Sequence, residues 1–104
     1  AAIKIKNEDQ YFGGGNVENM SYGATVCGER TAVWNAVTAG KKDFEFIVVL
    51  TQCEPAGTPC GMCLQVLSEF VGPDFLVYLA NLDGIQKELK FSELMPYPFD
   101  KELL

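Results

Sequence analysis

The chain contains no histidine. That absence excludes Ser-His and Cys-His catalytic pairs, histidine-ligated zinc and the H-E-x-x-H metalloprotease pattern. Basic residues are few as well: eight Lys and Arg stand against fourteen Asp and Glu, a net charge of −6, and the densest basic cluster is Lys41-Lys42. Binding to a phosphate backbone draws on clustered Lys and Arg, so the expected partner is a small uncharged molecule and not a nucleic acid. No apolar run approaches the length of a bilayer span and no signal peptide is recognisable, so no membrane partner and a cytoplasmic setting are expected. An initiator Met is lacking too. The chain opens directly on the alternating Ala1-Ala2-Ile3-Lys4-Ile5-Lys6, and a domain that begins inside a strand is expected to have further residues upstream.

What is present suits one domain, residues 1–104, with a single core: 48% of the residues are hydrophobic. Ala2 to Lys6 alternates as a half-buried strand, Asn7 to Gln10 reads as a turn, and Tyr11-Phe12 begins a second strand, which predicts a hairpin. Gly13-Gly14-Gly15 lacks the Gly-Lys-Ser/Thr ending of a phosphate loop and suits a backbone that bulges or passes close to something bulky. In Asn16-Val17-Glu18-Asn19 an extended backbone would put Asn16 and Glu18 on one face, able to grip a ligand together; on chemistry alone a solvated loop is the simpler reading.

Thr25 to Ala39 is predicted helical, stopped by Gly40, with Val26, Arg30, Val33 and Val37 along one side and Ala32, Trp34 and Ala36 around it. Phe46 to Thr51 reads as a strand buried on both faces, reached by a crossover. Thr58 as N-cap and Pro59 at the first helical position predict a second helix from Cys60 to Phe70. Phe75 to Leu79 and Ile85 to Phe91 are the last strands, antiparallel across the turn Asn81-Leu82-Asp83-Gly84, before a helical turn at Ser92 to Met95. The order β-β-α-β-α-β-β predicts an α/β fold, a mixed five-stranded sheet carrying helices.

Four cysteines remain, and without a secretory signal they suit metal better than disulfides. Cys60-x-x-Cys63 spans about one helical turn, so both thiolates can reach one metal from a helix start, where free N–H groups and partial positive charge favour thiolates. A redox motif shares that spacing; Cys27, at another helix start, strengthens zinc. Glu29 follows Cys27 by two residues and at a first turn can stand beside the metal as a proton carrier. Three protein ligands with one open position is the catalytic zinc pattern. Arg30 can donate to the thiolates and drain charge from the metal, or be an ordinary surface ion pair. Cys53 as a fourth ligand would close the site; the favoured alternative is a buried thiol at the end of the central strand.

Together Asn16-Val17-Glu18-Asn19-x-Ser21-Tyr22-Gly23, Cys27-Gly28-Glu29-Arg30-Thr31-Ala32 and Pro59-Cys60-Gly61-Met62-Cys63 closely resemble the small homotetrameric cytidine deaminases, and Leu94-Met95-Pro96-Tyr97-Pro98-Phe99 resembles their leucine-proline-phenylalanine ending. The resemblance implies a three-layer α/β/α fold and hydrolytic deamination of cytidine and deoxycytidine in pyrimidine salvage. It implies Zn2+ on Cys27, Cys60 and Cys63, with Glu29 carrying protons between N3 and the departing amine. Asn16 and Glu18 match the positions that hold a ribose hydroxyl, and the Gly28 N–H matches a donor to the pyrimidine carbonyl. Tyr22 and Phe99 match residues that reach a neighbouring subunit's site, which implies a homotetramer with shared active sites.

The chain departs from the family in three places. The family's N-terminal helix and its Phe-x-Val-Gly segment, with a base-stacking Phe, would precede Ala1; Leu64 stands where Arg is usual; and Gly28 replaces Ala, which keeps the N–H but loosens the helix start. A deaminase of a modified cytosine compound such as blasticidin S shares this chemistry, although Asn16 to Asn19 resembles the nucleoside enzymes. The alternative of another class is a non-catalytic domain that uses all four cysteines structurally.

Overall fold

The computed structural model describes residues 1–99. Its elements in chain order are β1 (Ala2–Ile5), β2 (Tyr11–Gly13), a 3-10 turn (Tyr22–Ala24), α1 (Gly28–Thr38), β3 (Phe44–Leu50), α2 (Gly61–Ser68), β4 (Leu76–Asn81), β5 (Gly84–Lys90) and α3 (Phe91–Leu94). They form one five-stranded sheet in the order β2-β1-β3-β4-β5. Only β3 and β4 are parallel; β1 pairs antiparallel with both β2 and β3, and β4 pairs antiparallel with β5. The mixed sheet and its closing antiparallel pair are as expected. A parallel neighbour needs a crossover, and α2 supplies it between β3 and β4.

Register decides which face is buried. Ile3 stands opposite Ile47, Ile47 beside Val77 and Val49 beside Leu79, so these side chains share one face with Ile5. That face joins Ala32, Val33 and Ala36 of α1 and Leu64 and Leu67 of α2 in a single core cluster. Each fully buried Ile, Leu or Val there contributes roughly 1.5–3 kcal/mol relative to exposure. Phe46 and Tyr78 lie on the opposite face, where Phe46 meets Tyr11 edge-on at 6.0 Å and Tyr78 edge-on at 5.4 Å. Of the layers expected, the described residues supply the sheet and the layer of α1 and α2.

Several boundaries and burials differ from expectation. Strand β3 is buried on one face only: Phe44, Ile47 and Val49 are buried, while Phe46 and Val48 are half-buried and Leu50 is exposed. A short run of apolar residues cannot by itself report whether one or both sides are covered. Helix α1 begins at Gly28, because Val26 instead makes an isolated antiparallel bridge with Val17. Trp34 is exposed on α1, whereas Glu29 and Arg30 are buried. Helix α2 is capped by Cys60, with its backbone extended at ψ 168°, two residues later than Thr58.

Candidate active site

Both helices start on a cysteine. Cys27 is the N-cap of α1 and Cys60 the N-cap of α2, each with extended backbone, and neither side chain caps its own helix. An N-cap residue sits half outside the first turn, so its side chain is free to point beyond the helix end. Cys63 enters from within the first turn of α2 and is fully buried. The Cys27 and Cys60 Sγ atoms are 3.7 Å apart and those of Cys60 and Cys63 3.4 Å. All three ligand atoms lie within 4.8 Å of one another. Zn–S bonds of about 2.3 Å at tetrahedral angles place sulfurs roughly 3.8 Å apart, so this triangle fits zinc.

The surroundings fit it as well. Arg30 is only 8% exposed, and its Nη2 donates to Cys27 Sγ at 3.7 Å. Hydrogen bonds to Cys27 and Cys63 raise its pKa, outweighing the effect of burial. A buried guanidinium needs negative charge nearby, and thiolates holding a metal would supply it here in place of a surface carboxylate. Its Nε has no hydrogen-bond partner among the described residues. Burial, above all, pushes the Cys63 thiol up; its hydrogen bond with Cys60 and the Glu29 charge act the same way, against the Arg30 hydrogen bond. The Cys60 thiol is lowered, chiefly by the Cys63 backbone N–H. A dication at the three sulfurs offsets the cost of ionising the buried thiol.

Cys53 is exposed, and the metal cluster comprises the other three cysteines. The expected buried thiol is corrected on this point: Cys53 lies beyond the end of β3, in the segment that turns away toward α2. That segment is anchored by a residue read from sequence only as part of a turn. Asn81, 6% exposed, donates to the Cys53 carbonyl and to the Glu54 carboxylate, each at 3.2 Å, while its Oδ1 accepts the Asp83 N–H. Thr51 Oγ1 accepts the Gly57 N–H at 2.9 Å and ties the same segment again, three residues before Cys60.

Asn16, Val17 and Glu18 run extended beside the start of α1, with Val17 and Val26 exchanging both backbone hydrogen bonds. Asn16 and Glu18 therefore fall on one side of that segment. Asn16 does more than face the helix. Its Oδ1 accepts the Gly28 N–H at 2.6 Å, joining two groups that the sequence pattern directs to different ends of a ligand. Glu29, on α1 next to Gly28, is 9% exposed. Tyr22 and Phe99 are 85% and 61% exposed. Phe99 also lines a cavity of about 400 Å3 between the end of α2 and the C-terminal segment, with Val71, Phe91, Met95 and Pro96.

The family model for the cytidine and deoxycytidylate deaminase zinc-binding region matches residues 1–79. A cytidine deaminase of Halalkalibacterium halodurans is 44% identical over 102 residues, which cover 98% of this chain and 76% of that protein. A cytidine deaminase structure from Burkholderia pseudomallei superposes with a TM-score of 0.87 at 36% identity, covering 94% of this chain and 78% of that one. A blasticidin-S deaminase of Bacillus cereus is more distant, 29% identical over 109 residues, covering 97% of this chain and 76% of that protein. With the three sulfurs converging at two helix starts, the chain belongs to the cytidine and deoxycytidylate deaminase zinc-binding family.

Proposed function

We propose that this chain catalyses the hydrolytic deamination of cytidine and deoxycytidine, water replacing the C4 amino group to give uridine or deoxyuridine and ammonia. The observation that carries this reading is the triangle of Cys27, Cys60 and Cys63 beside the buried Glu29. Bound there, zinc supplies a Lewis acid that activates water at neutral pH. The Glu29 carboxylate carries one proton from the attacking water to N3 and then the second, taken from the new C4 hydroxyl, to the amine as it leaves. Its position on the first turn of α1 keeps it beside the metal ligands without adding a fourth. Arg30 balances the charge of three thiolates on a divalent ion.

For the sugar, Asn16 and Glu18 offer one amide and one carboxylate from a single side of an extended segment, suited to hydroxyl groups. The Gly28 N–H is the donor for the pyrimidine carbonyl once Asn16 gives it up. Tyr22 and Phe99 are largely exposed, in keeping with residues that complete a neighbouring subunit's site in a homotetramer. A nucleoside enzyme of this kind serves pyrimidine salvage in the cytoplasm. The blasticidin alternative draws less support, since the relative of that name is 29% identical against 44% for the cytidine deaminase.

The test follows the loss of cytosine absorbance with the full chain and with Glu29→Gln. Cytidine should be consumed by the parent, and the variant should lose activity with its zinc retained. A zinc-loaded parent that leaves cytidine unchanged sinks the proposal.

A further inference from the structure

The glycine run and the flank of α1 form a set of ties that neither the zinc centre nor the proton carrier uses. Ala1 and Gly14 exchange both backbone hydrogen bonds, extending the β1–β2 ladder past Gly13. Asn35 Nδ2 then donates to the Gly13 carbonyl at 3.3 Å and Thr31 Oγ1 to the Gly15 carbonyl at 2.9 Å. Four residues apart, Thr31 and Asn35 share one flank of α1. Between their two targets Gly14 lies against the helix backbone. A Cβ built on it would overlap Ala32 N and Thr31 Oγ1 and would lie 2.6 Å from the Gly28 carbonyl oxygen. The strip from Gly13 to Val17 is thus held at Gly13, Gly15, Asn16 and Val17 by Asn35, Thr31, Gly28 and Val26.

We infer that Thr31 is a positioning residue for the sugar end of the substrate. Its hydroxyl, acting through the Gly15 carbonyl, sets where Asn16 and Glu18 stand relative to Glu29. This rests on the assignment of Asn16 and Glu18 to the sugar. The reasoning is geometric. Gly15 immediately precedes Asn16, and Thr31 lies two residues after Glu29 on the same helix, so among the ties that hold the strip this hydrogen bond links the residue next to the sugar grip to the turn that carries the chemistry. The Thr31 proton is shared with the Gly28 carbonyl at 3.0 Å, a bond within the helix that survives if the strip moves. Losing the tie to Gly15 therefore loosens the strip next to Asn16 while leaving α1 and the cysteines in place.

The experiment compares the full chain with Thr31→Val, Thr31→Ser and Asn35→Ala, using cytidine and 2′,3′-dideoxycytidine. Thr31→Val keeps the shape and removes the donor. Its KM for cytidine should rise roughly five- to ten-fold, the worth of one hydrogen bond, with kcat changed by less than about two-fold. Thr31→Ser should restore KM, and Asn35→Ala should shift it in the same direction by less. With 2′,3′-dideoxycytidine, which offers no ring hydroxyl to the grip, parent and Thr31→Val should have the same KM. Equal KM increases on both substrates, an effect on kcat alone, or a Thr31→Val variant indistinguishable from an active parent would overturn the inference. An inactive parent would overturn the functional reading beneath it instead.

Discussion

The Asn16 side-chain oxygen accepts the Gly28 backbone N–H at 2.6 Å. Gly28 is the first residue of α1, and the first N–H groups of a helix have no partner inside it. Asn16, twelve residues upstream, therefore does the work of a cap that Cys27 cannot do while its sulfur points at the metal. The same N–H is the one assigned to the pyrimidine carbonyl. Substrate binding on this reading is an exchange in which the ligand takes the N–H and Asn16 turns to the sugar.

Removing that cap should show in stability as well as in substrate binding. Asn16→Ala is expected to destabilise the chain by about 1 kcal/mol, the usual cost of a lost N-terminal cap. A urea titration of the zinc-loaded protein measures it. An unchanged midpoint would mean that the bond is not made in solution.

Arg30 is expected to govern how tightly the metal is held. With Nη2 on Cys27 Sγ at 3.7 Å, it is the cation next to the thiolates. Arg30→Gln keeps hydrogen-bond donors but removes the charge, and zinc affinity should fall roughly 10- to 100-fold, as for other partners that orient metal ligands. Competition with a chromogenic chelator reads the change directly.

Cysteine chemistry separates an open site from a closed one. The chain has four cysteines, of which Cys53 is exposed and outside the cluster. A thiol reagent should find one fast-reacting group in the zinc-loaded protein and more after chelation, with the buried Cys63 the slowest. Cys53→Ser should leave the zinc content unchanged, while Cys63→Ser should abolish it. Loss of zinc from Cys53→Ser would make the centre a structural one.

At alkaline pH the open sheet face should report on itself. Tyr78 donates to Glu88 Oε1 at 3.2 Å. Desolvation first, and then the bond to Glu88, raises its pKa above the ordinary 10.0. A phenol whose pKa is raised by folding stabilises the native state fully below its unfolded pKa. That contribution is lost as pH rises through the folded pKa. Denaturation midpoints above pH 10 should therefore fall more steeply for the parent than for Tyr78→Phe. Parallel curves would show that the phenol's surroundings on β4 do not bear on stability.

The local signals were strong where one residue type permits little else. Cys60-x-x-Cys63 beside Cys27 announced a metal, and Gly40, at φ 84°, ended α1 as expected. Helix starts were less legible. Thr25 reads as a helix start and Thr58 as a cap, yet Val26 is drawn into a bridge with Val17 and the caps pass to Cys27 and Cys60. A bridge between residues nine apart belongs to tertiary packing, so no propensity at Thr25 could foretell it. Trp34 shows the same limit from the other direction: its apolar ring counts toward a buried face in the pattern, but α1 turns it outward.

Composition and spacing alone pointed to a thiolate-bound zinc with a carboxylate beside it, and left a redox pair and a closed four-cysteine site as alternatives. The absence of histidine leaves three cysteines and Glu29 few other roles. Tertiary structure decided which atoms meet. It set Cys53 apart from the cluster, buried Arg30 against sulfur, and laid the glycine strip on α1 so that Asn16 meets Gly28 and Thr31 meets Gly15. The reason is physical. A motif limits what a residue can do within about one turn of its own backbone, whereas these contacts depend on register and helix placement that only the packed sheet defines.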